Sequence, residues 1–156
     1  ADENISYTKD TSGCVELDED VKAAMRGAEL VICDLKFPDA GTFKEYTGGD
    51  FSRVLKFLDF LAAEEIRTWA RTVIVPGIND KEEELDRYIE VLRPYVDSGA
   101  VEKYRLLGFH TMGFFKYEKL GIKNRLENTP ALPAERLSDL QGYVNDRLKT
   151  PSPAIL

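Results

Sequence analysis

The sequence predicts an α/β fold on a parallel sheet, and three observations carry that expectation. Short β-branched and aromatic runs alternate with helical patterns along the 156 residues. Each run stops at polar or turn residues, and the unit recurs four times, with strand ends at Thr11, Lys36, Pro76 and His110. Repeated βα units place their strands parallel and join them by right-handed crossovers. A chain of this length fits a single domain spanning residues 1–156. Four units are too few for the usual eight-unit closed barrel, so the sheet is expected to be open: doubly wound, or part of a barrel in a longer protein.

The first strand is the weakest, Ile5 to Lys9, stopping at the turn Asp10-Thr11-Ser12-Gly13. Asp18 then caps a helix from Glu19 to about Gly27, with Val21, Ala24, Met25 and Ala28 on one side. The second strand lies within Glu29 to Lys36. Asp50 caps the next helix, which runs through Glu64 and sets Val54, Leu58 and Leu61 at i, i+4, i+7. Ile66 to Val75 is the third strand, halted by Pro76-Gly77. Asn79 with Glu82 makes a capping box for a helix that buries Leu85, Tyr88, Ile89 and Leu92. Val101 to Phe109 is the fourth strand. Residues 111–132 show no firm structure, and so long a stretch after a strand end is more often functional than idle. A last helix opens at Pro133, the first helical position, and presents Leu137, Leu140, Val144 and Leu148. Pro151 and Pro153 read as a frayed tail.

Composition excludes several functions. With 21 Lys+Arg against 28 Asp+Glu the formal net charge is −7, which argues against a nucleic-acid surface. No apolar run approaches the roughly 20 residues of a membrane-spanning helix. The start, Ala1-Asp2-Glu3-Asn4, has no signal-peptide pattern, and two cysteines do not make a disulfide framework; a reducing, cytoplasmic setting is expected. Cys14 and Cys33 are also too few to hold an iron–sulfur cluster unaided, and Cys33, inside an apolar run, reads as a buried small hydrophobe.

Strand parity sorts the polar candidates, because residues i and i+2 face the same way. Ile32, Asp34 and Lys36 share one face, and Val31, Cys33 and Leu35 the other. An acid and a lysine ending a hydrophobic strand meet water, each other or a ligand. Arg71 shares its face with Trp69, Val73 and Val75; a mid-strand arginine either snorkels or holds an anion. His110, the only histidine, ends the fourth strand at the same rim. Together these groups suit a small zwitterionic or nucleotide-like ligand.

Four blocks, DTSG at 10–13, VICDLK at 31–36, WARTVIVPGIND at 69–80 and LLGFH at 106–110, then stand in a recognisable order and spacing. The chain resembles the glycyl-radical-enzyme activating enzymes of the radical S-adenosylmethionine superfamily. The resemblance runs from Asp10 to about Leu148; TVIVPGIND is its most specific piece, and ISYTK before Asp10 matches poorly. Gly108 stands where the family often has proline. The resemblance implies a partial parallel (βα) barrel, of which this chain supplies about four of the six units. The family's CxxxCxxC loop and GGE-type motif are missing, so no cluster ligands are present. The chain is therefore expected to be the C-terminal part of a longer enzyme, inactive alone and with no cofactor bound to it.

In the full-length parent the resemblance implies S-adenosylmethionine and a [4Fe–4S] cluster. It implies that Asp34, Lys36, Arg71 and His110 contact S-adenosylmethionine, and that Asp10, Thr11, Asp34 and the backbone carbonyl of Ile32 hold a monovalent cation. No residue present is implied to be catalytic. The parent would cleave S-adenosylmethionine reductively, and the resulting radical would take a hydrogen from a glycine of a glycyl-radical enzyme, pyruvate formate-lyase or a relative. Its electron would come from flavodoxin or ferredoxin. The rival expectations are another radical S-adenosylmethionine enzyme and a cluster-free half-barrel binding module. An uncovered edge at the strand ending in Asp10-Thr11 further predicts self-association or poor ordering of that segment.

Overall fold

The computed structural model describes residues 7–149 except Gly113, and the backbone alone of Phe115. It is an α/β structure with four parallel strands: β1 (Thr8–Thr11), β2 (Leu30–Asp34), β3 (Thr68–Ile74) and β4 (Val101–Gly108). Between and after them lie α1 (Glu19–Arg26), α2 (Ala40–Thr47), α3 (Phe51–Ala63), α4 (Glu82–Asp97), α5 (Phe114–Leu120) and α6 (Ala134–Arg147). The strands pair in sequence order, β1-β2-β3-β4. Right-handed crossovers in that order carry each new strand the same way round, which is the winding of a barrel wall. A doubly wound sheet would reverse at a switch point, and this one does not.

The alternation of side chains along the strands builds the core on one face only. Val31 and Cys33 are buried while Leu30, Ile32 and Asp34 are not. Thr68, Ala70, Thr72 and Ile74 are buried, whereas Trp69 and Arg71 are half-buried and Val73 is exposed. Against the buried face pack Val54, Phe57, Leu58 and Leu61 of α3, Leu85, Ile89 and Leu92 of α4, and Leu140 and Val144 of α6. Each fully buried leucine contributes about 1.5–3 kcal/mol by leaving water. The opposite face of the sheet keeps its polar groups.

Several elements depart from the sequence pattern, each for a local reason. β1 continues to Thr11 because Asp10 and Thr11 stand in register with Ile32 and Cys33. Ile5 and Ser6, expected to begin it, lie outside the described residues, as do Pro151 and Pro153. α2 has only Phe43 buried, so no apolar stripe announces it; its ends define it. Asp39 Oδ1 accepts from the Thr42 N–H at 2.9 Å, and Gly48 closes the helix in the left-handed region at φ 72°. α5 forms inside the stretch expected to lack firm structure, with Phe114 packed on Phe109 at 5.8 Å between ring centroids. Asn79 does not cap α4: the cap is Lys81, with no side-chain bond, and the Asn79 amide is claimed by groups at the end of β3. Pro133 is the N-cap of α6 and not its first helical residue.

The two outer edges of the sheet differ. At β4 the Leu106 N–H donates to Gln141 Oε1 at 2.7 Å, and Gln141 Nε2 donates to the Tyr104 carbonyl at 3.2 Å. One side-chain amide from α6 thus takes a donor and an acceptor that a further strand would use. Among the described residues no strand pairs with the outer edge of β1, where Thr8, Lys9 and Asp10 are exposed.

Candidate functional site

The polar rim forms where β1 and β2 end, beside Arg71 in the middle of β3, on the face away from the helices. Asp34 is the last residue of β2 and is in register with Arg71 of β3; Asp10 of β1 is in register with Ile32. Arg71 Nε donates to Asp34 Oδ1 at 2.8 Å, and its Nη2 donates to Asp10 Oδ2 at 3.3 Å. The bond to Asp34 leads the influences on Arg71; burial opposes it and the two acidic charges reinforce it, so the guanidinium is held protonated more firmly than usual. A partly exposed pair of this kind is worth about 1 kcal/mol, and the arm to the more exposed Asp10 less.

The other expected members stand around this trio. Lys36 is exposed two residues beyond β2, and His110 is exposed two residues beyond β4. Among the described residues neither makes a hydrogen bond or ion pair to the trio. Thr11 Oγ1 accepts from the Gly13 N–H at 3.0 Å and closes the turn after β1. Gly13 has φ +67°, and a Cβ there would lie 3.0 Å from Cys33 Sγ and 3.2 Å from the Phe57 ring. Conformation and space both require glycine. Ile32 sits within the β1–β2–β3 ladder. Arg71 already bonds both Asp10 and Asp34 and offsets one of their two charges, and among the described residues no group of three or more His, Cys, Asp and Glu side chains gathers for a metal ion.

Behind the rim lies a buried polar layer, of which the sequence pattern gives Tyr88 to the core and Asn79 to a cap and leaves Thr72 and Tyr104 unassigned. Thr72 Oγ1 donates to the Leu35 carbonyl and accepts from Tyr104 Oη, both at 2.8 Å. Tyr88 Oη donates to the Lys36 carbonyl at 2.9 Å and accepts from Asn79 Nδ2 at 3.0 Å. Asn79 also accepts from the Val75 N–H at 2.7 Å and donates to the Val73 carbonyl at 3.0 Å. A threonine at a helix-facing strand position, Thr72, was the one signal of this layer in the sequence. Burial pushes the Tyr88 and Tyr104 hydroxyls up, so both stay protonated donors. Burial first, and then the Asp34 charge, push the Cys33 thiol up to about 12, which leaves it neither nucleophile nor ready metal ligand.

Along the same open face a depression of about 150 Å³ is lined by Ile32, Trp69, Arg71, Lys103, Arg105 and Leu107. Lys103 Nζ sits 4.7 Å from the centroid of the Trp69 ring. Cations at Arg71, Lys103 and Arg105 can take a carboxylate, and Asp10 and Asp34 can take an ammonium group.

No family model matches the chain. It is 33% identical over 123 residues to the pyruvate formate-lyase-activating enzyme of Staphylococcus epidermidis, covering 79% of this chain and 48% of that protein. It is 30% identical over 143 residues to the pyruvate formate-lyase 1-activating enzyme of Escherichia coli, covering 91% and 57%. To the choline trimethylamine-lyase activating enzyme of Oleidesulfovibrio alaskensis it is 32% identical over 140 residues, covering 90% and 45%. The chain spans about half the length of the curated relatives it matches. Among solved structures, a domain of the pyruvate-formate lyase-activating enzyme from Bacteroides vulgatus matches with TM-score 0.68 and 17% identity, over 93% of this chain and 78% of that one. Streptococcus suis SuiB bound to precursor peptide SuiA matches with TM-score 0.62 and 13% identity, over 92% and 30%. At these identities the structural likeness is one of fold. The chain is homologous to the pyruvate formate-lyase and related glycyl-radical activating enzymes over about half of their length.

Proposed function

From that homology we propose that the chain supplies the later half of a radical S-adenosylmethionine enzyme that installs a glycyl radical on pyruvate formate-lyase or a relative. The contact of Arg71 with both Asp34 and Asp10, which joins three neighbouring strands on one face, is the observation that carries this reading. Asp34, Lys36, Arg71 and His110 are the residues toward S-adenosylmethionine, whose methionine end carries both an ammonium and a carboxylate. A monovalent cation at Asp10, Thr11, Asp34 and the Ile32 carbonyl competes with Arg71 for the same two carboxylates. The exposed Met112, Tyr117, Leu120 and Ile122, just beyond the rim, suit a protein partner. Flavodoxin or ferredoxin would supply the electron to the whole enzyme.

The chain's own thiols do not fit a [4Fe–4S] cluster. There are two, on different elements, and Cys33 is buried and held as the thiol. The cluster and its chemistry belong to the rest of the full-length protein; this half binds, orients and excludes water. Anaerobic reconstitution of the 156-residue chain should give substoichiometric iron and sulfide; a full cluster would sink this part of the reading. In the full-length parent, Asp34→Asn should lower cofactor cleavage and glycyl-radical yield together while cluster content stays constant. Unchanged radical yield, read by electron paramagnetic resonance, would make the rim structural.

A further inference from the structure

We propose that Tyr88 and Thr72, oriented by Asn79 and Tyr104, are positioning residues that fix the backbone of Leu35 and Lys36, and through it the stance of Asp34 and Lys36 at the rim. The inference rests on the cofactor-facing reading of the rim given above, and adds residues that touch no ligand.

The hydrogen-bond polarity of the layer has one consistent solution. The Val75 N–H donates to Asn79 Oδ1, so the Asn79 amide nitrogen must face the Val73 carbonyl and the Tyr88 hydroxyl. Both of its protons are then committed, and Tyr88 Oη is an acceptor toward Asn79. The single Tyr88 proton is left for the Lys36 carbonyl, which can only accept. The same logic runs through the second arm: the Tyr104 proton goes to Thr72 Oγ1, and the Thr72 proton goes to the Leu35 carbonyl. The Leu35 N–H is bound to the Arg71 carbonyl at 2.8 Å, so the segment after β2 is held from both sides.

These bonds act where regular structure stops. β2 ends at Asp34, and Lys36 is exposed, so no ladder partner fixes its carbonyl. Tyr88 is fully buried on α4 and Asn79 is 2% exposed, which gives the anchor a rigid base. Aspartate at position 79 would carry a buried charge and present an acceptor to Tyr88, turning its proton away from Lys36. The PGIND turn is thus read as a device that aims one tyrosine hydroxyl.

The test pairs two hydroxyl deletions on one helix. Tyr88→Phe removes the bond to Lys36; Tyr95→Phe removes a bond of 2.7 Å to Asp59 that holds α4 to α3 and leaves the rim alone. In the 156-residue chain, Tyr88→Phe should speed exchange of the Leu35 amide, bonded to the Arg71 carbonyl, about tenfold, and Tyr95→Phe should leave it at the wild-type rate. Thr72→Val, which cuts the bond to Leu35, should loosen the same segment and stands in if Tyr88→Phe fails to fold. In the full-length parent, Tyr88→Phe should raise KM for S-adenosylmethionine severalfold with little change in kcat. Rim exchange unchanged in Tyr88→Phe, or equally raised in Tyr95→Phe, overturns the proposal. A KM raised by Asp34→Asn but not by Tyr88→Phe also overturns it and leaves the cofactor reading standing. If neither substitution changes KM, the cofactor reading itself has failed, whatever the exchange shows.

Discussion

Arg71 is the residue on which the rim turns, and the sequence shows only half of its role. Parity along Ile66 to Val75 places it on the polar face, but its partners lie 37 and 61 residues away and depend on strand register. Asn79 teaches the opposite lesson. A local capping pattern with Glu82 points to one use, and three partners within nine residues of it, Val75, Val73 and Tyr88, impose another once the chain turns back on itself. Gly13 is legible as a turn residue, yet its tight seat against Cys33 and Phe57 needs the packed structure. Gly13→Ala should therefore destabilise the chain by about 2 kcal/mol or more, seen as a lower urea midpoint. Asp39 gives a pH test. The Thr42 N–H, ahead of the opposing effect of burial and the smaller pull of Arg87, holds its carboxyl below the usual carboxylate value. A depressed folded pKa stabilises above the unfolded value and is lost as pH falls through the folded one. The stability of wild type relative to Asp39→Asn should thus hold above the ordinary aspartate pKa of about 3.9 and shrink as pH falls below it, in urea titrations at each pH.

Elements announced themselves when they carried an apolar stripe and stayed hidden when they did not. α1, α3, α4 and α6 follow the sequence pattern to within a few residues. α2 and α5 do not show in it: the first is marked by its caps, and in the second Phe114 packs on Phe109. Strand positions were legible from β-branched runs ending in charge, except β1, where pairing with β2 and not local propensity sets the end. α4 has a correctable weakness. Its N-cap is Lys81, without a side-chain bond, ahead of Glu82, Glu83 and Glu84. Lys81→Ser would complete a capping box with Glu84 and should stabilise the chain by about 0.5–1 kcal/mol, raising its thermal midpoint by a few degrees. A lysine at the positive end of the helix dipole is also unfavourable, so the two effects act in the same direction.

For the molecule as a whole, the strictly sequential strand order decides between the two architectures that the βα count left open. Counting units could not do so, since both use the same elements; only the direction of winding distinguishes them. The blocked edge at β4 has a further consequence. Gln141 stands as a chain terminator: growth of the sheet by another copy should be stopped on that side, while among the described residues no strand covers the β1 edge. A molecule with one live end and one dead end can add to itself once, tail to tail, and then has no end left to extend. Light scattering should accordingly find monomers and dimers across concentration, never a rising ladder of species. Gln141→Ala would give the chain a second live end, and the same measurement should then show open-ended growth. On that expectation, the amide that settles two backbone groups within one subunit would also set a ceiling of two on its polymerisation.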